Sequence, residues 1–167
     1  MTANTVKFEG ALTQDTRNAI NIGIGDYSLC TTAFSQATST TLANVEGLVT
    51  ERLAPGTYDF EINLITTAGA SGGVKAALKQ GTAGMLTSIS ATVTGLTAAG
   101  VANTTFTTAT DAASIIAATT AYVAVRVKGI AVIGLPGTLQ VQVAQNASDA
   151  TATTVALRSS MVFRKIL

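Results

Sequence analysis

The chain has no histidine, no tryptophan, one cysteine and two prolines in 167 residues. Without histidine it lacks the commonest general base near neutral pH, the Ser-His-Asp and Cys-His nucleophile systems, and most zinc sites. A lone Cys30 excludes an intrachain disulfide framework. It reads as a free, half-buried thiol, the other possibility being a bridge between subunits in an oxidising setting. Charge is scarce as well. Asp, Glu, Lys and Arg make up 11% of the chain, less than half of the roughly 25% usual in soluble domains. The ten Lys and Arg residues are scattered and the net charge is +1, so there is no basic stripe for nucleic acid. A long apolar run is missing too. The most apolar window, "AYVAVRVKGIAVIGLPG", is cut by Arg126, Lys128 and Pro136, whereas a spanning helix needs about 20 consecutive apolar residues. No membrane partner is expected. "MTANTVKFEGALTQDTR" has neither the basic start nor the apolar stretch of a signal peptide, so the expectation is synthesis in the cytoplasm without export by a signal of its own.

What the chain does have is threonine and alanine, together about a third of all residues, far above average usage. Threonine is β-branched and favours strands, while Leu, Glu, Lys and Arg, which favour helices, are few. Period-two patterns recur. Tyr58, Phe60, Ile62 and Leu64 alternate with Thr57, Asp59, Glu61 and Asn63. Val74, Ala76 and Leu78 oppose Lys75, Ala77 and Lys79, and Val123, Val125 and Val127 oppose Tyr122, Ala124, Arg126 and Lys128. Such alternation marks strands with one face in a core. Turn signals separate the runs at Ala54-Pro55-Gly56, Gly69 to Gly73, Gly81 to Gly84, Gly95, Gly100 and Leu135-Pro136-Gly137. Gly129 interrupts one long strand pattern and is expected to mark a bulge or bend. Asp111 to Tyr122 fits one helical turn capped by Asp111 or a loop running into a strand. The fold class is therefore all-β: an antiparallel sandwich or barrel spanning residues 26–167. Residues 1–25 are weakly periodic and read as an N-terminal arm or an extra strand pair.

The candidates for chemistry are thin. Asp59 and Glu61 share a strand face, where paired carboxylates could do acid–base work, but a solvated strand face accounts for them. "GIGDYS" and "GASGGVK" match no phosphate-binding loop and read as turns. "QNASDATAT" offers one acid among hydroxyls and amides, too little for calcium. Asn103-Thr104-Thr105 and Asn146-Ala147-Ser148 fit the glycosylation pattern, which carries no weight without a secretion signal. Tyr27, Tyr58 and Tyr122 are expected at the edge of a core. The expectation is a protein that is not an enzyme and has no cofactor or metal.

"GTLQVQVAQ" sharpens the question. Leu139, Val141 and Val143 alternate with Thr138, Gln140 and Gln142, so the outer face is polar but not ionised. Charged surfaces and net charge away from zero normally keep small domains dispersed. A neutral exterior of Thr, Gln and Ala suits close contact, because covering it carries a smaller desolvation penalty than covering Lys or Glu. Gln140, Gln142 and Gln145 are thus candidate interaction residues, facing another copy of the chain or a larger assembly. In the arm the candidate anchors are Val6, Phe8, Leu12, Ile20 and Ile22.

The order of segments resembles tailed-bacteriophage structural proteins that fold as trimeric jelly rolls: capsid decoration (cement) proteins and related head or tail fibre modules. The stretches that carry the resemblance are "STTLANVEGLVTERLAPGTYDFEINLITTAGASGGVKAAL" (Ser39 to Leu78) and "AYVAVRVKGIAVIGLPGTLQVQVAQNASDATATTVALRSSMVF" (Ala121 to Phe163). Within them lie an L-x-P-G-T-Y-x-F strand start, a V-R-V-K-G strand, and G-T-L-Q-V-Q-x-A-Q-N before the last strand. The resemblance covers the chain from about Thr38 onward and not residues 1–25. It implies a homotrimeric jelly-roll sandwich located on the virion's capsid surface, with the major capsid protein as partner. The alternative it implies is a head- or tail-fibre module that binds a host receptor or glycan.

Overall fold

The computed structural model describes residues 25–69, 71–97, 100–106, 113–115 and 122–167. Its strands are β1 (Asp26–Leu29), β2 (Phe34–Gln36), β3 (Ala43–Val49), β4 (Gly56–Thr67), β5 (Val74–Gln80), β6 (Leu86–Thr97), β7 (Gly100–Phe106), β8 (Ala113–Ile115), β9 (Val123–Ile133), β10 (Leu139–Ala144), β11 (Thr153–Val155) and β12 (Ser160–Lys165). No helix occurs among the described residues. Eight strands form a large antiparallel sheet in the order β1-β12-β4-β9-β6-β7, with β11 beside β4 and β2 beside β11. Four form a small sheet, β3-β10-β5-β8. The fold is all-β and sandwich-like, as the period-two patterns require.

The predicted inward residues are the core. Phe60, Ile62 and Leu64 of β4 and Val125 and Val127 of β9 are buried together with Val74 and Leu78 of β5 and Leu139, Val141 and Val143 of β10. Each contributes roughly 1.5–3 kcal/mol on removal from water, and the polar alternates face outward. The long strand β4 lies between β12 and β9, pairing with β12 over Tyr58 to Asn63 and with β9 from Gly56 to Thr66.

Gly129 is not a bulge. The register of β4 with β9 runs unbroken from Gly56 opposite Ile133 to Thr66 opposite Val123, and Gly129 keeps the inward parity of Val127 and Ala131. The reason is crowding on one cross-strand row, in which Phe163, Phe60, Gly129 and Ala91 lie side by side. The rings of Phe60 and Phe163 stack with centroids 4.9 Å apart and planes 7° from parallel. A Cβ at Gly129 would run into the Ser90 carbonyl oxygen and the Ala91 side chain. The irregularities fall elsewhere. One is between Leu86 and Ser88 of β6. The other is in β3, where Gln140 pairs with Val49 but Gln142 pairs with Asn44, so four residues of β3 stand opposite Val141 alone.

Within Asp111 to Tyr122, Ala113–Ile115 is strand, paired antiparallel with Val74 to Ala76. The Asp111 cap lies outside the described residues. So does the arm or strand pair expected over residues 1–25, apart from Gly25.

Candidate interaction surface

The amide-bearing strand β10 runs along the middle of the small sheet, between β3 and β5. Gln140 is half-buried, and its Nε2 donates to the carbonyls of Val45 at 2.8 Å and Leu48 at 2.9 Å. Both acceptors lie in the β3 bulge. There the backbone leaves the ladder at Gly47, whose φ is +82°, a conformation glycine adopts without a Cβ penalty. A buried carbonyl without a partner costs about 1–3 kcal/mol, and the two-donor amide of glutamine satisfies two at once. Lysine would bring a full charge, and glutamate no donor. Gln142 Nε2 donates to Asn44 Oδ1 at 2.9 Å, across the same two strands.

Gln145, just past β10, is completely buried. Its Oε1 accepts from the N–H groups of Ser39 and Asp149, and its Nε2 donates to the carbonyls of Asp149 and Thr151. One side chain thus ties the turn at Ser39 to the 145–151 loop. All three glutamines direct their amide donors into their own chain. Val6, Phe8, Leu12, Ile20 and Ile22 lie outside the described residues.

Asp149, the lone acid of "QNASDATAT", accepts hydrogen bonds from backbone. Its Oδ1 accepts from the Thr151 N–H at 2.7 Å and its Oδ2 from the Ser71 N–H at 3.2 Å. Those N–H groups hold its carboxyl below the usual aspartate value. Among the described residues no three acids or cysteines come together as a metal-holding cluster.

The outer face of the large sheet carries the acids that the sequence places side by side. Arg126 Nη2 lies 2.7 Å from Glu61 Oε2, and Arg164 Nη1 lies 3.5 Å from Asp59 Oδ2. The hydrogen bonds from Arg126 and Asn63 lower the Glu61 pKa, the reverse of what a general acid requires. Tyr58 is buried and its hydroxyl donates to the Ala54 carbonyl at 2.9 Å. Tyr27 and Tyr122, expected at a core edge, are instead 60% and 68% exposed. Leu29, Ile65 and Ile130 are exposed as well. Between the sheets, an apolar gap bordered by Ile62, Leu78, Val127 and Val141 has a volume of about 10 Å³, room for roughly one water.

Cys30 is 4% exposed, with Sγ 3.1 Å from the Thr32 carbonyl. Burial raises its pKa, so the thiolate is disfavoured.

No family model, curated protein or solved structure matches the chain.

The β3 bulge and the two glutamine plugs were missed by a reading that took every outward amide as available. The signal was present in "ANVEGLV": the buried Val45 and Leu48 are three residues apart instead of two, with a glycine between them.

Proposed function

We propose that this chain is a virion structural protein, a jelly-roll homotrimer that decorates the outer surface of a phage capsid and stabilises it, with residues 1–25 as an attachment arm. The observation that carries the reading is the low cost of covering its surface. Charge is 11% of the chain, and the amides of Gln140 and Gln142 on the small sheet's outer face already donate within the chain. Covering the glutamine column at its centre therefore strands few polar groups. The path of the chain also supports the jelly-roll form, since β3, β5, β8 and β10 alternate with strands of the large sheet.

The mechanism is mass action. A subunit bound across a junction between capsomers stabilises the assembled shell over the open one by its binding free energy. The test is to delete residues 1–25 and add the protein to undecorated shells. The expected result is a folded trimer that no longer attaches. Attachment equal to that of the full chain would remove the arm from the proposal, and a full-length protein that binds no shell would remove the decoration role.

A further inference from the structure

The outer face of the small sheet is polarised over three of its four strands, β3, β10 and β5. On one side β3 presents Asn44, paired with Gln142, and carries the exposed Glu46 in its bulge. In the middle β10 presents the un-ionised Gln140 and Gln142. On the other side β5 presents Lys79, exposed and directly opposite Gln140, with Lys75 further along. Acid, neutral and base thus follow one another over three adjacent strands, about 5 Å apart. Among the described residues no ion pair engages Glu46, Lys75 or Lys79. The large sheet differs, because Glu61 and Asp59 on its outer face are already paired with Arg126 and Arg164.

We propose that this face docks on a second copy of the chain, with Glu46 of one copy meeting Lys79 of the next. The inference rests on the self-association proposed above and names the surface that performs it. A face with acid on one side and base on the other is complementary to itself. A two-fold axis along β10 lays the β3 column of each copy over the β5 column of its partner. A cyclic arrangement does the same head to tail, the β5 side of each copy meeting the β3 side of the next. Val49, 38% exposed on the same face, adds apolar contact beside the charges. The glutamine column keeps the centre free of charge, so no unpaired ion is covered there.

The experiment is a charge exchange in the full-length protein, read by sedimentation velocity over a concentration series, with circular dichroism to show that each variant is folded. Glu46→Lys places base against base and Lys79→Glu places acid against acid. Each is expected to raise the apparent dissociation constant about tenfold or more. The chain carrying both substitutions restores the pairing and returns to within about threefold of wild type, a recovery that merely structural damage would not give. Single exchanges without effect, or a double exchange no better than the singles, would overturn the proposal. A wild-type chain that stays monomeric at every concentration would instead remove the self-association on which it rests.

Mixing the two single variants decides the number of copies. In a pair, both contacts become opposite-charge contacts and assembly recovers. In a ring of three, at least one like-charge contact always remains and assembly stays weak. Recovery on mixing supports the Glu46–Lys79 pairing and rejects a trimer through this face. Recovery by the double exchange alone supports the pairing in a ring of odd number.

Discussion

Gln145 and Asp149 bond to each other twice: the Asp149 N–H donates to Gln145 Oε1 at 3.1 Å, and Gln145 Nε2 donates to the Asp149 carbonyl at 2.9 Å. The side-chain amide thereby acts as a piece of backbone inside the loop, in a place with no access to water. Two further bonds, from the Ser39 N–H and to the Thr151 carbonyl, extend its reach to neighbouring segments. Gln145→Leu keeps the approximate volume and leaves those four backbone groups without the amide. We expect a loss of about 2–4 kcal/mol, from the penalty for unsatisfied buried groups. Gln145→Glu should be worse, since a carboxylate cannot donate to the two carbonyls and brings charge into a dry site. Urea unfolding with an unchanged m-value is the measurement.

The row Phe163, Phe60, Gly129 and Ala91 makes a second prediction, on packing. Phe60→Ala removes a fully buried ring that stacks on Phe163 and should cost about 3–5 kcal/mol. Gly129→Ala adds a single methyl group, yet that methyl meets the Ser90 carbonyl and the Ala91 side chain, neither a flexible group. Overpacking of this kind costs about 1–3 kcal/mol. The two variants should have lower urea midpoints for opposite reasons. Ala91→Gly placed on Gly129→Ala should recover part of the second loss and none of the first.

How much of this was legible beforehand depends on the range of the interaction. The inward sets of β4, β5, β9 and β10 could be read directly, because a strand with one buried face writes its period into its own residues. Gly129 was misread because a local pattern cannot show which strand will lie beside it; Ser90 and Ala91 are some forty residues away. Gln140 and Gln142 were correctly placed on an outer face, but their partners belong to β3, and only the broken spacing of Val45 and Leu48 hinted at freed carbonyls. Gln145 is one position beyond β10 and showed nothing in its neighbours. Its bonds depend on two loops meeting, which is a property of the assembled fold.

Asp26 is partly buried beside β3, and its Oδ2 accepts from the Glu51 N–H at 2.7 Å. Desolvation dominates and raises its pKa, opposed by that hydrogen bond and helped by the nearby Glu51 charge. A raised carboxyl pKa means that the folded chain holds the proton to higher pH than the unfolded chain does. Its stability contribution is full below the unfolded value and is lost as pH rises through the folded value. Asp26→Asn keeps an acceptor oxygen for Glu51 and removes the charge. The variant should therefore be more stable than wild type at pH 7, with the advantage vanishing below about pH 4. Urea midpoints measured from pH 3 to 7 check this, and a variant less stable at neutral pH would contradict it.

Asp149 gives the opposite pH dependence. Its carboxylate accepts from the Thr151 and Ser71 N–H groups and its pKa is lowered. The stabilisation is present above the ordinary aspartate value and lost as pH falls through the lowered one. As the carboxylate takes up its proton, hydrogen exchange at Ser71 and Thr151 should rise relative to the core amides of β4. In Asp149→Ala those two amides should exchange rapidly at every pH, with no acid transition of their own.

Cys30 combines near-complete burial, a hydrogen-bonding contact with the Thr32 carbonyl and a raised pKa. Thiol–disulfide exchange needs an accessible thiolate, and burial opposes one twice, by hiding the sulfur and by raising its pKa. The folded protein should react with a thiol reagent at least about a hundredfold more slowly than the same chain in denaturant, and the rate should follow opening of the β1–β3 corner. Any assembly of the chain should then run as a monomer on electrophoresis without reducing agent. A covalent dimer under those conditions would mean that β1 and the segment after it rearrange in the assembled state, since Gly47 already packs against the Leu29 carbonyl and the Thr31 amide on either side of Cys30. Cys30→Ser isolates the thiol from that movement. It leaves a small hydroxyl able to donate to Thr32, so assembly should persist where a disulfide plays no part in it.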